Sequence, residues 1–201
     1  MSNQRQLHHL FPVGVQISEI PGAEQLNESL LGDMRKVRDS VENARPDSWS
    51  CNLYTTIQSN HDLFQYPSVK KLREHMMTEA TAFAEAYGLD HRGFPLRLRD
   101  CWVNMYDRGD GQEIHNHANS VVSGIYYVAT PEGSGQLLFH SPMADCMYDP
   151  PKRATNPMNV PASGLAPKAG TMILFRSWLR HSVMPSTGEG TRVSIAFNFG
   201  M

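Results

Sequence analysis

The chain has 201 residues, of which 40% are hydrophobic and 19% are charged, and its formal net charge is −2. This length and composition are those of an ordinary globular protein with one substantial core. The near-neutral charge, without a basic stripe or a polybasic tail, argues against nucleic acid and membrane surfaces as partners. No apolar run approaches the roughly 20 residues that span a bilayer. The N-terminus lacks the apolar core of a signal peptide, and three widely spaced cysteines form no C-x-x-C motif. We therefore expect a cytoplasmic protein.

The first half of the chain alternates between a strand pattern and helix patterns. Apolar residues between Leu7 and Ile17 predict an entry strand. Apolar residues three and four positions apart then predict amphipathic helices from about Ala23 to Val41 and from near Pro67 to Tyr87. The segment between the two helices is rich in Ser and Asn, and it predicts a loop with room for a short strand at Leu53–Ile57.

From Pro95 onward, short strand-like runs follow one another with glycines at the breaks. The runs are Leu96–Tyr106, Gln112–His117, Val121–Ala129, Gly135–His140, Thr171–Arg176, His181–Met184 and Arg192–Phe199. Such spacing predicts a sandwich or barrel, with the two helices packed on one face. We therefore predict an N-terminal part, residues 1–94, packed on a β core of residues 95–201. The proline-rich stretch 141–167 shows little periodicity, which indicates either a lid over a substrate site or a disordered loop.

A metal site is indicated by the segment from Glu113 to His117. In an extended strand the side chains alternate, so Glu113, His115 and His117 are expected on one face. Two imidazoles on one strand face can chelate one metal ion with a third ligand from elsewhere, and we assign His181 to that position. Glu113 remains as an alternative carboxylate ligand or as a residue that orients a histidine.

The last strand carries a second polar face. Alternation places Arg192 and Ser194 together on one side, while the apolar side chains of this strand face the other. An inward arginine is costly unless an anion meets it. A carboxylate would do so, through a two-pronged contact with the arginine and a hydrogen bond from the serine. Asn104 and Tyr106 share a face of an earlier strand, and Tyr127 lies on another.

These residues together resemble the iron(II)- and 2-oxoglutarate-dependent (2OG-Fe(II)) oxygenases. The similarity lies in His115-x-His117, the distal His181 and Arg192-x-Ser194, and it covers residues 96–199. It includes the segment Ser-Gly-Ile-Tyr-Tyr at 123–127 and the run Trp-Leu-Arg-His at 178–181. The family's usual ligand set contains a carboxylate, whose position is taken here by His117.

The resemblance implies a fold and a set of roles. It implies a double-stranded β-helix, which is a jelly-roll or cupin-like barrel. His115, His117 and His181 correspond to the metal ligands, and Arg192 and Ser194 to the residues that hold the distal carboxylate of 2-oxoglutarate. Tyr127 matches a tyrosine that helps to bind this carboxylate in the prolyl-hydroxylase relatives. Asn104 and Tyr106 occupy positions that contact the cosubstrate or the substrate.

The activity implied is that of a non-haem dioxygenase. Fe(II) and 2-oxoglutarate are its cofactors, molecular oxygen is consumed, and a small molecule or a peptide is hydroxylated with formation of succinate and CO2. Two alternatives remain at this stage: a three-histidine, cupin-like dioxygenase that needs no 2-oxoglutarate, and a non-catalytic module that binds a metal or a small acid. A strand-rich domain with an N-terminal extension often dimerises, so a homodimer is one expectation.

Overall fold

The computed structural model describes residues 5–144 and 148–201 of the chain. The elements in chain order are β1 (Val15–Glu19), α1 (Ala23–Ser40), β2 (Tyr54–Thr55), a 3-10 turn (Leu63–Gln65), α2 (Pro67–Ala86), β3 (Arg97–Tyr106), β4 (Gln112–His115), β5 (Val122–Ala129), β6 (Leu137–His140), β7 (Ala162–Leu165), β8 (Thr171–Arg176), β9 (His181–Val183) and β10 (Arg192–Gly200). The prediction of a mainly β protein with N-terminal helices is confirmed.

The strands form two antiparallel sheets. The large sheet has six strands in the order β1-β8-β5-β10-β3-β2, and the small sheet has four in the order β4-β9-β6-β7. The four consecutive strands from β3 to β6 alternate between the large and the small sheet, and the four from β7 to β10 alternate between the small and the large sheet. A sandwich of two sheets is therefore present, while closure into a barrel stays a prediction.

The two helices pack on the outer face of the large sheet. In α1, Leu30, Met34 and Val37 are fully buried at four- and three-residue spacing, and in α2 Leu72 and Met76 are buried in the same way. They share one apolar cluster with residues of β5, β8 and β10. Neither helix is long and apolar enough to cross a membrane, nor is any other described helix. The helices thus occupy one face of the large sheet and leave the other for the small sheet.

The Ser-Gly-Ile-Tyr-Tyr segment of β5 places neighbouring side chains on opposite faces. Tyr126 points toward the helices, where its hydroxyl donates a hydrogen bond of 2.7 Å to Oδ1 of Asn27. Tyr127 belongs to the apolar cluster between the two sheets. Gly124 lies against the ring of Phe197 on β10, so closely that a Cβ atom there would overlap the ring. Strand parity therefore settles which of the two tyrosines lies between the sheets.

The largest differences from the predicted strands are at the N-terminus and in the stretch 141–167. The entry strand begins at Val15 and not at Leu7, and Leu7 and Phe11 are 72% and 93% exposed. These apolar side chains have no sheet to pack against, and an apolar pattern alone cannot show this. Within the stretch predicted to be irregular, Ala162–Leu165 forms β7 and pairs with β6. The pairing, and not local periodicity, makes this segment a strand. Part of the predicted lid, with Cys146, lies outside the described residues.

Candidate metal and anion site

The strand β4 contains a β-bulge that decides which of its side chains face inward. Gln112 pairs with Val183 and His115 pairs with His181, so three steps along β4 match two steps along β9. Gln112 and His115 therefore face the same side. Glu113 does not: its carboxylate accepts hydrogen bonds from the backbone N–H of Ser50, at 3.1 Å, and from the Ser50 hydroxyl. The prediction that Glu113 shares a face with both histidines was wrong, because strict alternation fails at a bulge.

His115, His117 and His181 form a histidine cluster between the sheets. One ring nitrogen from each lies within 4.8 Å of the others, which is a spacing that can hold a metal ion. His115 ends β4 and His181 begins β9 directly opposite to it. His117 lies beyond the end of β4, where its backbone N–H donates to the carbonyl of Ser177 at 3.0 Å. The structure thus brings together the three histidines that the sequence singled out.

The tautomers of two histidines follow from their hydrogen bonds. Nδ1 of His115 lies 2.8 Å from the carbonyl oxygen of Glu113, and Nδ1 of His181 lies 3.0 Å from that of Leu179. A carbonyl oxygen can only accept, so Nδ1 carries the proton in both rings. Each Nε2 then carries a lone pair, which is the form that binds a metal, and Nε2 of His181 lies 3.3 Å from Nε2 of His117. Glu113 orients His115 through its backbone and not through its carboxylate.

The loop that carries His117 is anchored by a buried chain of hydroxyl groups. Oγ of Ser177 lies 2.8 Å from Oγ of Ser123, which lies 2.8 Å from Oδ1 of Asn198. Each hydroxyl has one proton and the amide oxygen only accepts, so Ser177 donates to Ser123 and Ser123 donates to Asn198. This network fixes the Ser177 backbone that holds His117. The role of Ser177 was missed by sequence reasoning.

The electrostatics of the cluster favour neutral imidazoles. Burial lowers the pKa of His117 from its usual value to about 4, and the neighbouring His115 contributes to this shift. Burial likewise lowers the pKa of His115, and it lowers the pKa of His181 further with the help of His115. Neutral rings are the protonation state that metal binding needs.

This shift predicts an acid-sensitive fold for the metal-free protein. Since the folded state binds fewer protons on these histidines than the unfolded state, the free energy of unfolding should fall as the pH drops from about 6.5 to 5. Each histidine contributes at most about 1.4 kcal/mol per pH unit. Urea unfolding of the chelator-treated protein at several pH values measures the slope. His117→Asn should make the free energy of unfolding depend less steeply on pH. A slope of zero in the unsubstituted protein would contradict the prediction.

A second polar group of residues, the arginine pocket, lies on the inner face of the large sheet. Its members are Asn104 and Tyr106 of β3, Tyr127 of β5, and Arg192 and Ser194 of β10. Arg192 pairs with Tyr106, and Ser194 pairs with Asn104 on one side and with Tyr127 on the other. These five residues were candidates from the sequence, and the order of the strands makes them neighbours.

Arg192 is buried and has no acidic partner in the part of the chain that the structure describes. It is 1% exposed, and none of the ion pairs among the described residues includes it. Its guanidinium lies 4.6 Å from the ring centre of Tyr106 and 5.1 Å from that of Tyr127. The guanidinium also donates a long hydrogen bond of 3.4 Å to the carbonyl oxygen of Gly135. Ring faces stabilise a cation only in part. A buried arginine with this environment is suited to an anionic ligand.

Four buried polar atoms of the described chain lack a hydrogen-bond partner. They are Oδ1 of Asn104, Nε2 of Gln112, Oη of Tyr127 and Nε of Arg192. Each such group costs about 1–3 kcal/mol if it stays unsatisfied. Burial raises the pKa of Tyr127, so its hydroxyl keeps a proton to donate. Three of the four atoms are donors, so the set fits a ligand that is rich in acceptor oxygens, such as a dicarboxylic keto acid.

Aromatic side chains enclose the histidine cluster. Ring centres lie 6.5 Å apart for Trp49 and His115, 5.7 Å for Trp102 and His117, and 4.7 Å for Phe175 and His181. Phe175 also belongs to the apolar cluster between the sheets, as do Tyr106 and Tyr127 of the arginine pocket. The histidine cluster and the arginine pocket are therefore linked through one apolar cluster between the sheets. Trp49 was missed by sequence reasoning, since it lies in a loop without periodicity.

Fold and site together define a two-sheet β protein in which a histidine cluster suited to a metal ion lies near a pocket suited to an organic acid. Residues 100–198 match the family model described as "Putative 2OG-Fe(II) oxygenase". This match covers the region that carries both groups of residues, so the chain is similar to this family there. The recognised resemblance is thus confirmed, and Fe(II) and 2-oxoglutarate, the cofactors predicted from it, are those of the family.

Solved structures show the same fold. A Pseudomonas putida prolyl-4-hydroxylase is 18% identical with a TM-score of 0.64, covering 94% of this chain and 92% of that one. HygX from Streptomyces hygroscopicus, crystallised with nickel and 2-oxoglutarate, is 16% identical with a TM-score of 0.60, covering 94% and 83%. The collagen prolyl hydroxylase of Paramecium bursaria Chlorella virus-1 is 13% identical with a TM-score of 0.59, covering 93% and 96%. No curated protein matches the sequence.

Proposed function

We propose that this protein is an Fe(II)- and 2-oxoglutarate-dependent dioxygenase that hydroxylates a small molecule or a peptide. The observation that carries the proposal is the buried guanidinium of Arg192, which has no carboxylate partner among the described residues and lies over Tyr106 and Tyr127 of the apolar cluster that reaches the histidine cluster. An anion is needed to compensate this charge, and 2-oxoglutarate is the anionic cofactor of the family.

His115, His117 and His181 would hold the metal ion. With three imidazole ligands, the ion would still be able to take a chelating acid as a further ligand. The set has no carboxylate, so the site carries one negative charge fewer than the usual two-histidine, one-carboxylate triad. Imidazoles also suit copper, nickel and zinc, so the metal that is loaded has to be controlled in every assay.

Arg192 and Ser194 would hold the distal carboxylate of 2-oxoglutarate. Arg192 offers a planar fork of donors, and Ser194 and Tyr127 each offer a hydroxyl. The adjacent position of Asn104 and Tyr106, both paired with β10, supports a contact with the cosubstrate or the substrate. We assign Glu113 only an orienting role, through its backbone bond to His115.

The bound metal and 2-oxoglutarate supply the oxidising chemistry, in which oxygen is consumed, succinate and CO2 are formed and a C–H bond becomes C–OH. The chain itself positions the metal ligands and shields the reaction from water. Hydrogen bonds from Nδ1 fix the rings of His115 and His181. The aromatic side chains around the histidine cluster exclude water. We further propose that the two sheets form a double-stranded β-helix, with residues 1–94 packed on a 95–201 core. The lid role of 141–167, the cytoplasmic location and a homodimer stay predictions.

A second candidate is a three-histidine dioxygenase that needs no 2-oxoglutarate. The absence of a carboxylate from the histidine cluster of the described residues favours it. Arg192, which forms no ion pair within the described residues, opposes it, since that reaction leaves the arginine pocket without a ligand. Oxygen uptake by iron-loaded protein, measured with candidate substrates and without 2-oxoglutarate, separates the two functions.

An anaerobic absorption titration tests the proposed function. Fe(II) is added to metal-free protein and then 2-oxoglutarate, and the visible charge-transfer band of the iron–keto acid chelate is expected. Succinate, added as a control, has no keto group and should produce no band. Absence of the band with 2-oxoglutarate, while iron is shown to be bound, would contradict the proposal and favour the second candidate.

A further inference from the structure

Gln112 is the one member of the unsatisfied polar set that lies on the small sheet. It is the first residue of β4, it is 6% exposed, and it pairs with Val183 of β9. Val183 belongs to the apolar cluster between the two sheets. Directly paired residues share a face, so the side chain of Gln112 also points between the sheets.

The residues that carry the unsatisfied atoms lie on both sheets. Asn104, Tyr127 and Arg192 belong to neighbouring strands of the large sheet, whereas Gln112 belongs to the small sheet that covers it. An unpaired amide N–H in the interior is expensive, so a glutamine here favours the ligand-bound state, provided that the ligand offers an acceptor. If this side chain had only apolar neighbours and no ligand, a leucine would suit the position better than a glutamine.

We propose that the side-chain amide of Gln112 donates a hydrogen bond to the acidic cosubstrate from the small-sheet side, opposite to Arg192, and thereby helps to select it. The inference rests on the proposed function and adds a specificity-determining residue to it. The acid is then held between the sheets: Arg192 supplies the charge, and Gln112 supplies a neutral donor on the facing sheet.

The alternative is that Gln112 is a structural residue, and the two roles predict opposite changes in stability. If Gln112 is structural, replacing it lowers the unfolding midpoint of the protein without ligand. If the amide of Gln112 is satisfied only by a bound ligand, Gln112→Leu replaces an unsatisfied polar group by an apolar group of similar volume. The unfolding midpoint of the ligand-free protein should then stay the same or rise.

The test measures 2-oxoglutarate binding by tryptophan fluorescence on the full chain loaded with Mn(II), without oxygen, together with urea unfolding of the metal-free protein. Gln112→Leu should weaken 2-oxoglutarate binding by about tenfold to a hundredfold, the range of one hydrogen bond to a charged group. Gln112→Glu should weaken it more, because two carboxylates repel. Mn(II) affinity should be unchanged in both variants.

Gln16→Leu is the matched control. The amide of Gln16 on β1 is satisfied, since it donates to the carboxylate of Glu79 at 2.8 Å. Its replacement should lower the unfolding midpoint and leave 2-oxoglutarate binding unchanged.

The outcomes separate this inference from the proposed function. Unchanged 2-oxoglutarate affinity in Gln112→Leu, with normal binding by the unsubstituted protein, would overturn the role of Gln112 alone. A lower unfolding midpoint in Gln112→Leu would also overturn it, in favour of the structural role. If the unsubstituted protein loaded with metal does not bind 2-oxoglutarate, the proposed function and this inference fall together.

Discussion

Replacing Arg192 by methionine is expected to weaken 2-oxoglutarate binding by about 30-fold to more than a thousandfold, the usual cost of removing one partner of a buried, hydrogen-bonded charge pair. Metal content should remain at that of the unsubstituted protein, since Arg192 contacts Tyr106 and Tyr127 and none of the three histidines in the described contacts. Calorimetric titration of the Mn(II)-loaded variant measures the affinity, and elemental analysis measures the metal.

The stability of the same variant tests the physical argument behind the assignment. Without ligand, Arg192 is a buried charge that has no acidic partner among the described residues, so methionine should leave the free energy of unfolding unchanged or raise it. Arg176→Met is the control, because Arg176 on β8 is half-buried and satisfied: it donates to the carbonyl of Val121 at 3.1 Å and lies over the ring of Tyr87. That control should lose stability and keep 2-oxoglutarate affinity. Joint loss of metal and cosubstrate in Arg192→Met would mark Arg192 as structural.

Replacing His181 by alanine is expected to remove metal binding almost completely. His181 is 2% exposed and lies at the centre of the cluster, with its ring centre 4.2 Å from that of His115 and 5.1 Å from that of His117. Loss of one of three ligands should weaken metal binding by more than about a hundredfold, which exceeds the effect of removing an outer-shell partner. Competition with a chromophoric chelator measures this affinity.

Two further variants make the histidine experiment specific. His61→Ala removes a half-buried histidine that bonds to Tyr66 and lies outside the cluster, and it should leave metal affinity unchanged. His117→Asp restores the usual carboxylate and should keep metal binding, because carboxylate and imidazole both coordinate Fe(II). Stoichiometric metal in His181→Ala would show that the cluster is not the metal site.

Local sequence patterns predicted most elements because the forces that define them act over a few residues. The buried stripes of α1 and α2, together with Pro67 at the first position of α2, set helix bounds that agree with the structure within a residue or two. The alternation of Arg192 and Ser194 on β10 was readable for the same reason. The segments that failed, residues 7–14 and β7, depend on whether another strand or sheet lies beside them.

The chemical inventory of the site was thus determined by the sequence: three histidines, an inward Arg-x-Ser pair, and the tyrosines and asparagine that neighbour it. Only the tertiary structure decided how these residues face one another. The bulge in β4 turned Glu113 away and turned Gln112 inward, and the loop 43–53 brought Trp49 to His115. A bulge changes side-chain parity through pairing with another strand, and a loop contact depends on chain closure, so neither leaves a periodic signal in the sequence.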